Sequence, residues 1–143
     1  MRLKTDLEYV GERDSFLETL LAGKKILHLG ACDAPYTREK IASNTWLHGL
    51  ISEKSEVLGV DFDEGSVKMC HEMGFENVIA RDIFDLAASD VSPYEYILFS
   101  ETIEHISDPG EFLVRLAGLM DDSQKLIVTT PNAHFWRNSI NGV

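Results

Sequence analysis

Four segments gather the side chains able to do chemistry. The first reads Ile26-Leu27-His28-Leu29-Gly30-Ala31-Cys32-Asp33-Ala34-Pro35. Gly30, Cys32 and Ala34 are small residues at alternate positions, and small residues in a loop let a ligand approach the backbone closely. A dinucleotide fingerprint would need glycines where Cys32 and Pro35 stand, and Pro35 has no N–H to offer a phosphate. The phosphate-loop pattern ending Gly-Lys-Ser/Thr is absent. A ligand without phosphates, such as S-adenosylmethionine, fits this loop. So does a plain tight turn after a strand.

The second segment ends Gly59-Val60-Asp61-Phe62-Asp63. A carboxylate at a strand's end can accept two hydrogen bonds from a ribose diol. Asp61 is expected in that role; the alternative is a helix N-cap, which Asp63 already offers. Gly30 and Asp61 lie 31 residues apart (61 − 30), against about 20 in the usual dinucleotide unit. The first helix is therefore enlarged or carries an inserted turn, with Trp46 to Leu50 in the excess. In the third segment Asp82 can accept from an adenine amino group while Ile83 packs on the ring, or it is a turn acid paired with Arg81. The fourth runs from Phe99-Ser100-Glu101 to Glu104-His105 and Asp108-Pro109. Capping of the next helix accounts for Asp108 and Pro109 but not for Glu101, Glu104 and His105. His105 is the candidate general base. Glu104 beside it cannot point the same way in an extended segment, so a dyad does not follow.

These segments need elements that hold them together. Ser15 and Glu18 read as a capping box, with Leu17, Leu20 and Leu21 on one helical face and Gly23 as the left-handed stop. Short apolar runs at Lys25–Leu29, Val57–Val60, Asn77–Ala80, Tyr96–Phe99 and Lys125–Thr130 read as strands. Helices are expected over Thr37 to about Leu50, over Glu64–Met73 with Gly74 as its stop, and from the Asp108 cap through Phe112, Leu116 and Met120. Consecutive apolar strands alternating with amphipathic helices indicate a doubly wound α/β domain with a parallel sheet. Ligands bind such sheets at the carboxyl ends of the strands, where all four segments fall.

Together these residues resemble the class I S-adenosylmethionine-dependent methyltransferases over about residues 24–132. They look closest to the group of ubiquinone-biosynthesis and other small-molecule methyltransferases. That family's first motif is an acid, a spacer and Gly-x-Gly-x-Gly, and it stands here as His28, Leu29, Gly30, Ala31, Cys32, Asp33 and Ala34. Its second acid matches Asp61 and its adenine-side acid Asp82. Its segment after the fourth strand, Leu-Glu-His-x-x-Asp-Pro, matches Ile103 to Pro109, and its Thr-Pro-Asn matches Thr130-Pro131-Asn132. His28 replaces the acid that helps hold the methionine amino group, and Asp33 can supply the charge instead. The resemblance implies a Rossmann-like methyltransferase fold lacking its last strands, with S-adenosyl-L-methionine as cofactor. Contacts are implied at His28, Gly30, Ala31, Cys32, Asp33, Asp61, Phe62, Asp82, Ile83, Ser100 and Glu101, with His105 as the catalytic candidate and no metal. The reaction implied is methyl transfer to a small-molecule acceptor. The alternative is a non-catalytic methyltransferase-like domain acting through a partner chain.

Length and composition agree with this. The 143 residues suit one domain, and 44% of them are hydrophobic. Acidic residues outnumber basic ones by 24 to 13, a formal charge of −11. That charge argues against general nucleic-acid binding and against anionic membranes. No apolar run approaches a membrane span and Met1–Val10 is not a signal peptide, so a cytoplasmic protein is expected. Cys32 and Cys70 are then expected as free thiols. The family's sheet continues beyond the position of Val143. Either the sequence is a fragment, or the edge strand at Lys125–Thr130, followed by Phe135 and Trp136, is covered by a homo-oligomer or a partner chain; the alternative is that residues 133–143 fold back and cover it unaided.

Overall fold

The computed structural model describes residues 12–131. The expected features at Asn132, Phe135 and Trp136 lie outside the described residues. One sheet of five strands organises the rest, in the order β3-β2-β1-β4-β5, with every neighbouring pair parallel. The strands are β1 (Lys25–Leu29), β2 (Glu56–Asp61), β3 (Val78–Ala80), β4 (Tyr96–Ser100) and β5 (Lys125–Thr129). The chain enters at the centre, moves outward through β2 and β3, then returns to place β4 on the other side of β1. That reversal puts the switch point between β1 and β4, where a crevice opens beyond the strand ends. Leu29 pairs in register with Val60 on one side and with Phe99 on the other, so the loops carrying three of the four chemical segments start level.

Successive strand residues face opposite sides of the sheet, so each side has its own core. Leu27, Leu29, Val60, Ile97 and Phe99 pack with Phe112 and Leu116 of α6 (Pro109–Leu119) and with Leu86 and Val91. The other face carries Ile26, Val57, Tyr96 and Leu98 against Leu17 and Leu21 of α1 (Arg13–Leu21) and Leu47 and Ile51 of α3 (Leu47–Ser52). His28 belongs to this second face by parity, which aims it at α3 rather than at solvent. No described helix is long and apolar enough to cross a membrane.

Several expectations are corrected. α1 begins at Arg13 after Glu12, so Ser15 and Glu18 lie inside the helix and form no capping box. Glu18 instead meets the Lys54 ammonium at 2.9 Å. Leu17 and Leu21 are buried, four residues and so about one helical turn apart, whereas Leu20 lies off that line and is 39% exposed. The helix expected over Thr37–Leu50 is two helices, α2 (Thr37–Ala42) and α3. Asn44 takes a left-handed φ of 54° between them. Its N–H donates to the Ile41 carbonyl at 3.1 Å, and the Thr45 N–H donates to the Lys40 carbonyl at 2.8 Å. That pair of bonds is a Schellman stop, with Asn where Gly is commoner. The inserted α3 accounts for the long Gly30–Asp61 separation. α4 (Glu64–Glu72) ends before Gly74, whose φ is +92°, and Gly23 likewise stops α1 at +74°. The short α5 (Ala88–Val91) and the 3-10 turns at Ile83–Asp85 and Ile103–His105 were not read from the sequence.

Candidate functional site

The crevice floor is the loop after β1. Gly30 turns it with a φ of +69°, and a Cβ there would fall 2.0 Å from the Thr102 Oγ1. Both the left-handed conformation and this close approach require glycine. The Gly30 and Ala31 N–H groups donate to the Val60 carbonyl at 2.9 and 3.2 Å, which clamps the loop to β2.

Asp61 finishes β2 and ties the two loops together. Its Oδ2 accepts the Cys32 N–H at 2.9 Å and its Oδ1 accepts the Asp63 N–H at 3.0 Å. Each carboxylate oxygen has a further lone pair. Asp63 takes the N-cap role, accepting from the Ser66 N–H at 3.2 Å, and this leaves Asp61 out of helix capping. Phe62 projects beyond the pair at 80% exposure. Asp82 caps the 3-10 turn through its Oδ1, which accepts the Phe84 N–H at 2.9 Å. The alternative pairing of Asp82 with Arg81 is not observed, because Arg81 meets Asp90 at 2.9 Å. Ile83 is half-buried on that turn.

The β4 end supplies a buried polar chain. The His28 Nε2 lies 2.7 Å from the Ser100 Oγ, and the His28 Nδ1 lies 3.2 Å from the His48 Nδ1 on α3. Gly59 makes this possible: a Cβ on it would stand 2.7 Å from the His48 ring and 2.8 Å from the Ala31 Cβ. Burial, with His48 and Arg13 adding to it, holds His28 well below the usual imidazole range. Burial pushes His48 down to about 4. Both rings are therefore neutral at pH 7. The His48 Nε2 has no partner among the described residues.

Glu101 follows at a φ of 45°, and its N–H donates to the Thr129 carbonyl at 2.9 Å. Its carboxylate pairs with the Arg13 guanidinium, so α1 reaches over the crevice. Arg13, His28, Gly30, Ala31, Asp33, Leu47, Ser100 and Glu101 line this pocket together. Asp33 also meets the Lys40 ammonium at 3.0 Å. Arg13 and His48 were not found by sequence reasoning. Arg13 precedes β1, carries no motif and reaches the crevice only once α1 packs. Glu104 and His105 lie exposed on the 3-10 turn, and neither makes a side-chain hydrogen bond among the described residues. No group of three or more His, Cys, Asp or Glu among the described residues is arranged to hold a metal.

Cys32 and Cys70 are free thiols whose sulfurs stand 3.9 Å apart. The bond to Cys70, burial and the facing Asp61 carboxylate push the Cys32 thiol up.

The sequence matches the model of the family described as methionine biosynthesis protein MetW over residues 13–141. It is 33% identical over 97 residues to a ubiquinone biosynthesis O-methyltransferase of Caulobacter sp. (strain K31), covering 59% of this chain and 37% of that one. It is 27% identical over 131 residues to the protein of the same name from Xylella fastidiosa (strain M23), covering 88% and 47%. The chain thus spans less than half the length of these curated relatives. Among solved structures, the plantazolicin methyltransferase BpumL in complex with SAH superposes with a TM-score of 0.65 at 16% identity, covering 91% of this chain and 49% of that one. A DhpI-SAM-HEP complex gives 0.54 at 19% identity, covering 89% and 57%. At these identities the superpositions show the fold, a Rossmann-like α/β architecture shared with methyltransferases.

Proposed function

The chain belongs to the MetW family, and we propose that it binds S-adenosylmethionine and directs transfer of its methyl group to a small-molecule acceptor. The observation that carries this reading is Asp61. It sits at the end of β2 with only 6% exposure, each oxygen fixed by one backbone N–H. A carboxylate so held presents its remaining lone pairs in a fixed direction, which suits a neutral diol. The residues around it fit the rest of the cofactor. Gly30 and Ala31 let the ligand approach the backbone. Phe62 and Ile83 offer faces for the adenine, and the free oxygen of Asp82 suits its amino group.

At the methionine end the fit differs from an acid at position 28. His28 is neutral and both ring nitrogens are engaged, so it sets the direction of Ser100 rather than contributing charge. Asp33 and Glu101 supply negative charge toward an ammonium, and Arg13 supplies positive charge toward a carboxylate. The cofactor, when bound, supplies an electrophilic methyl group on a sulfonium. The protein's part is then mainly positional, since alignment of acceptor and methyl accounts for much of the rate. In this reading His105, exposed on the turn that follows β4, is the base for a hydroxyl acceptor. The relatives named as O-methyltransferases support a hydroxyl acceptor.

Isothermal titration with S-adenosylmethionine and S-adenosylhomocysteine tests the reading. Saturable binding by the wild type and its weakening in Asp61→Ala are expected. No binding of either ligand by the folded wild type would overturn it.

A further inference from the structure

We propose that Cys32 and Cys70 are a reversible oxidation site, at which a peroxide closes a disulfide that moves the Gly30–Asp33 loop and weakens S-adenosyl ligand binding. The effect on ligand rests on the cofactor reading above; the disulfide does not.

The two residues are 38 positions apart, yet their sulfurs lie 3.9 Å from each other. A disulfide needs about 2.05 Å between sulfurs, so the pair must approach by less than 2 Å. They share an apolar niche of Ala31, Trp46, Val67 and Val78, and neither thiol has another polar partner. The two sides of this niche are unequally free. Cys70 is fully buried on α4, which is held by Val67 in the core and by the Asp63 cap. Cys32 is half-buried on a loop, which makes it the thiol a small oxidant reaches and the side that yields. Its own N–H is the donor that fixes the Asp61 Oδ2. Movement of Cys32 toward α4 therefore acts directly on the carboxylate assigned to the ribose. The Trp46 indole N–H donates to the Ala31 carbonyl at 2.9 Å, so an intrinsic fluorophore is bonded to the same loop from the start of α3.

The chemistry balances with a peroxide as the oxidant. The Cys32 sulfur attacks one peroxide oxygen, the O–O bond breaks, and a sulfenic acid and one water result. The Cys70 sulfur then attacks the Cys32 sulfur, the S–O bond breaks, and a second water leaves with the remaining thiol proton. Two thiols are oxidised and one peroxide is reduced to two waters. A small dithiol returns both sulfurs to thiols by exchange. The hydrogen bond with Cys70, burial and the Asp61 carboxylate disfavour the Cys32 thiolate, so the reaction calls for sustained rather than trace oxidant.

The test uses the full chain with hydrogen peroxide, followed by alkylation in denaturant and intact-mass measurement. The oxidised wild type should lose two hydrogens and show no labelled thiol, and dithiothreitol should restore two labels. Titration with S-adenosylhomocysteine should then show at least fivefold weaker binding for the oxidised form. Recovery on reduction would separate this from methionine sulfoxide, which dithiothreitol does not reverse. Cys70→Ser should bind like the reduced wild type before treatment and should not lose two hydrogens after it. Tryptophan emission should change on oxidation in the wild type and not in Cys70→Ser. Two labelled thiols after peroxide would overturn the site, and a disulfide with unchanged affinity would overturn its coupling to the ligand. If neither redox form binds S-adenosylhomocysteine, the cofactor reading fails separately. The disulfide and the loop movement are then decided by the mass and the fluorescence.

Discussion

Asp61 joins two loops, with one backbone N–H on each carboxylate oxygen, and in the proposed reading its remaining lone pairs take the ribose diol. Asp61→Ala should therefore cost about 1–3 kcal/mol of stability, because the Cys32 and Asp63 N–H groups lose their acceptor. It should cost a similar ~1–3 kcal/mol of affinity for S-adenosylhomocysteine. Urea unfolding and calorimetry measure the two separately, and an unchanged affinity would remove Asp61 from the site. The buried histidines make a second prediction. Unfolded, each takes its proton near pH 6.5. Folded, His48 does so only at about 4, and His28 too is held well below its ordinary value. From pH 6.5 down toward 4 the unfolded chain binds more protons than the folded one, so stability falls with falling pH. The slope reaches about 1.4 kcal/mol per pH unit for each histidine, and it vanishes above pH 7. Melting curves from pH 7.5 to 5 should show it, with a shallower slope in His48→Gln; identical slopes would contradict the neutral pair. The place of Asp61 at the end of β2 was legible because the apolar run that forms the strand stops at it. The chain from Ser100 through His28 to His48 was not. Its members lie 72 and 20 positions apart, and only strand pairing and the missing Cβ of Gly59 bring them together.

Among elements, the strands were the legible part. Tyr96–Phe99 is apolar throughout, and Ile26–Leu29 is so apart from His28, because both faces of a parallel sheet are covered. Helix boundaries were less so. A Ser followed three residues later by Glu is a cap only where the backbone before it is extended, and in α1 that condition is met at Glu12 instead. The break between α2 and α3 rests on one residue, since Asn tolerates the left-handed conformation but does not announce it. The stop at Asn44 therefore yields a direct prediction. Asn44→Ala should destabilise the protein by about 1 kcal/mol, and Asn44→Gly should be close to neutral. Chemical denaturation of the two variants measures this. Equal losses in both would mean that the Asn44 side chain, rather than its φ, supports the turn. The consequence reaches the site, because this stop sets Trp46 under Ala31 and starts α3, which carries His48.

At the scale of the whole molecule, the strand order decides where the sheet is open. The interior strands β1, β2 and β4 each have two neighbours, and among the described residues the ends of the sheet are β3 and β5. β3 spans only three residues, and short edge strands offer little to pair with. β5 spans five residues and pairs only with β4 among the described residues. Its single charge is Lys125 at its start, and Val128 is 39% exposed. No proline or inward charge interrupts it. Such an edge is a template for another strand. The charge of −11 opposes association in general, and more so at low salt, where repulsion between like-charged surfaces is least screened. Edge pairing here should therefore strengthen as salt is added. Light scattering at micromolar concentration is expected to show a species heavier than 16.1 kDa whose population rises with sodium chloride. Val128→Lys places a second charge on the exposed side of β5 and should return the protein to monomer without loss of S-adenosylhomocysteine binding. A monomer in the wild type at every salt concentration would exclude association through this edge. A dimer that survives Val128→Lys would place the contact elsewhere.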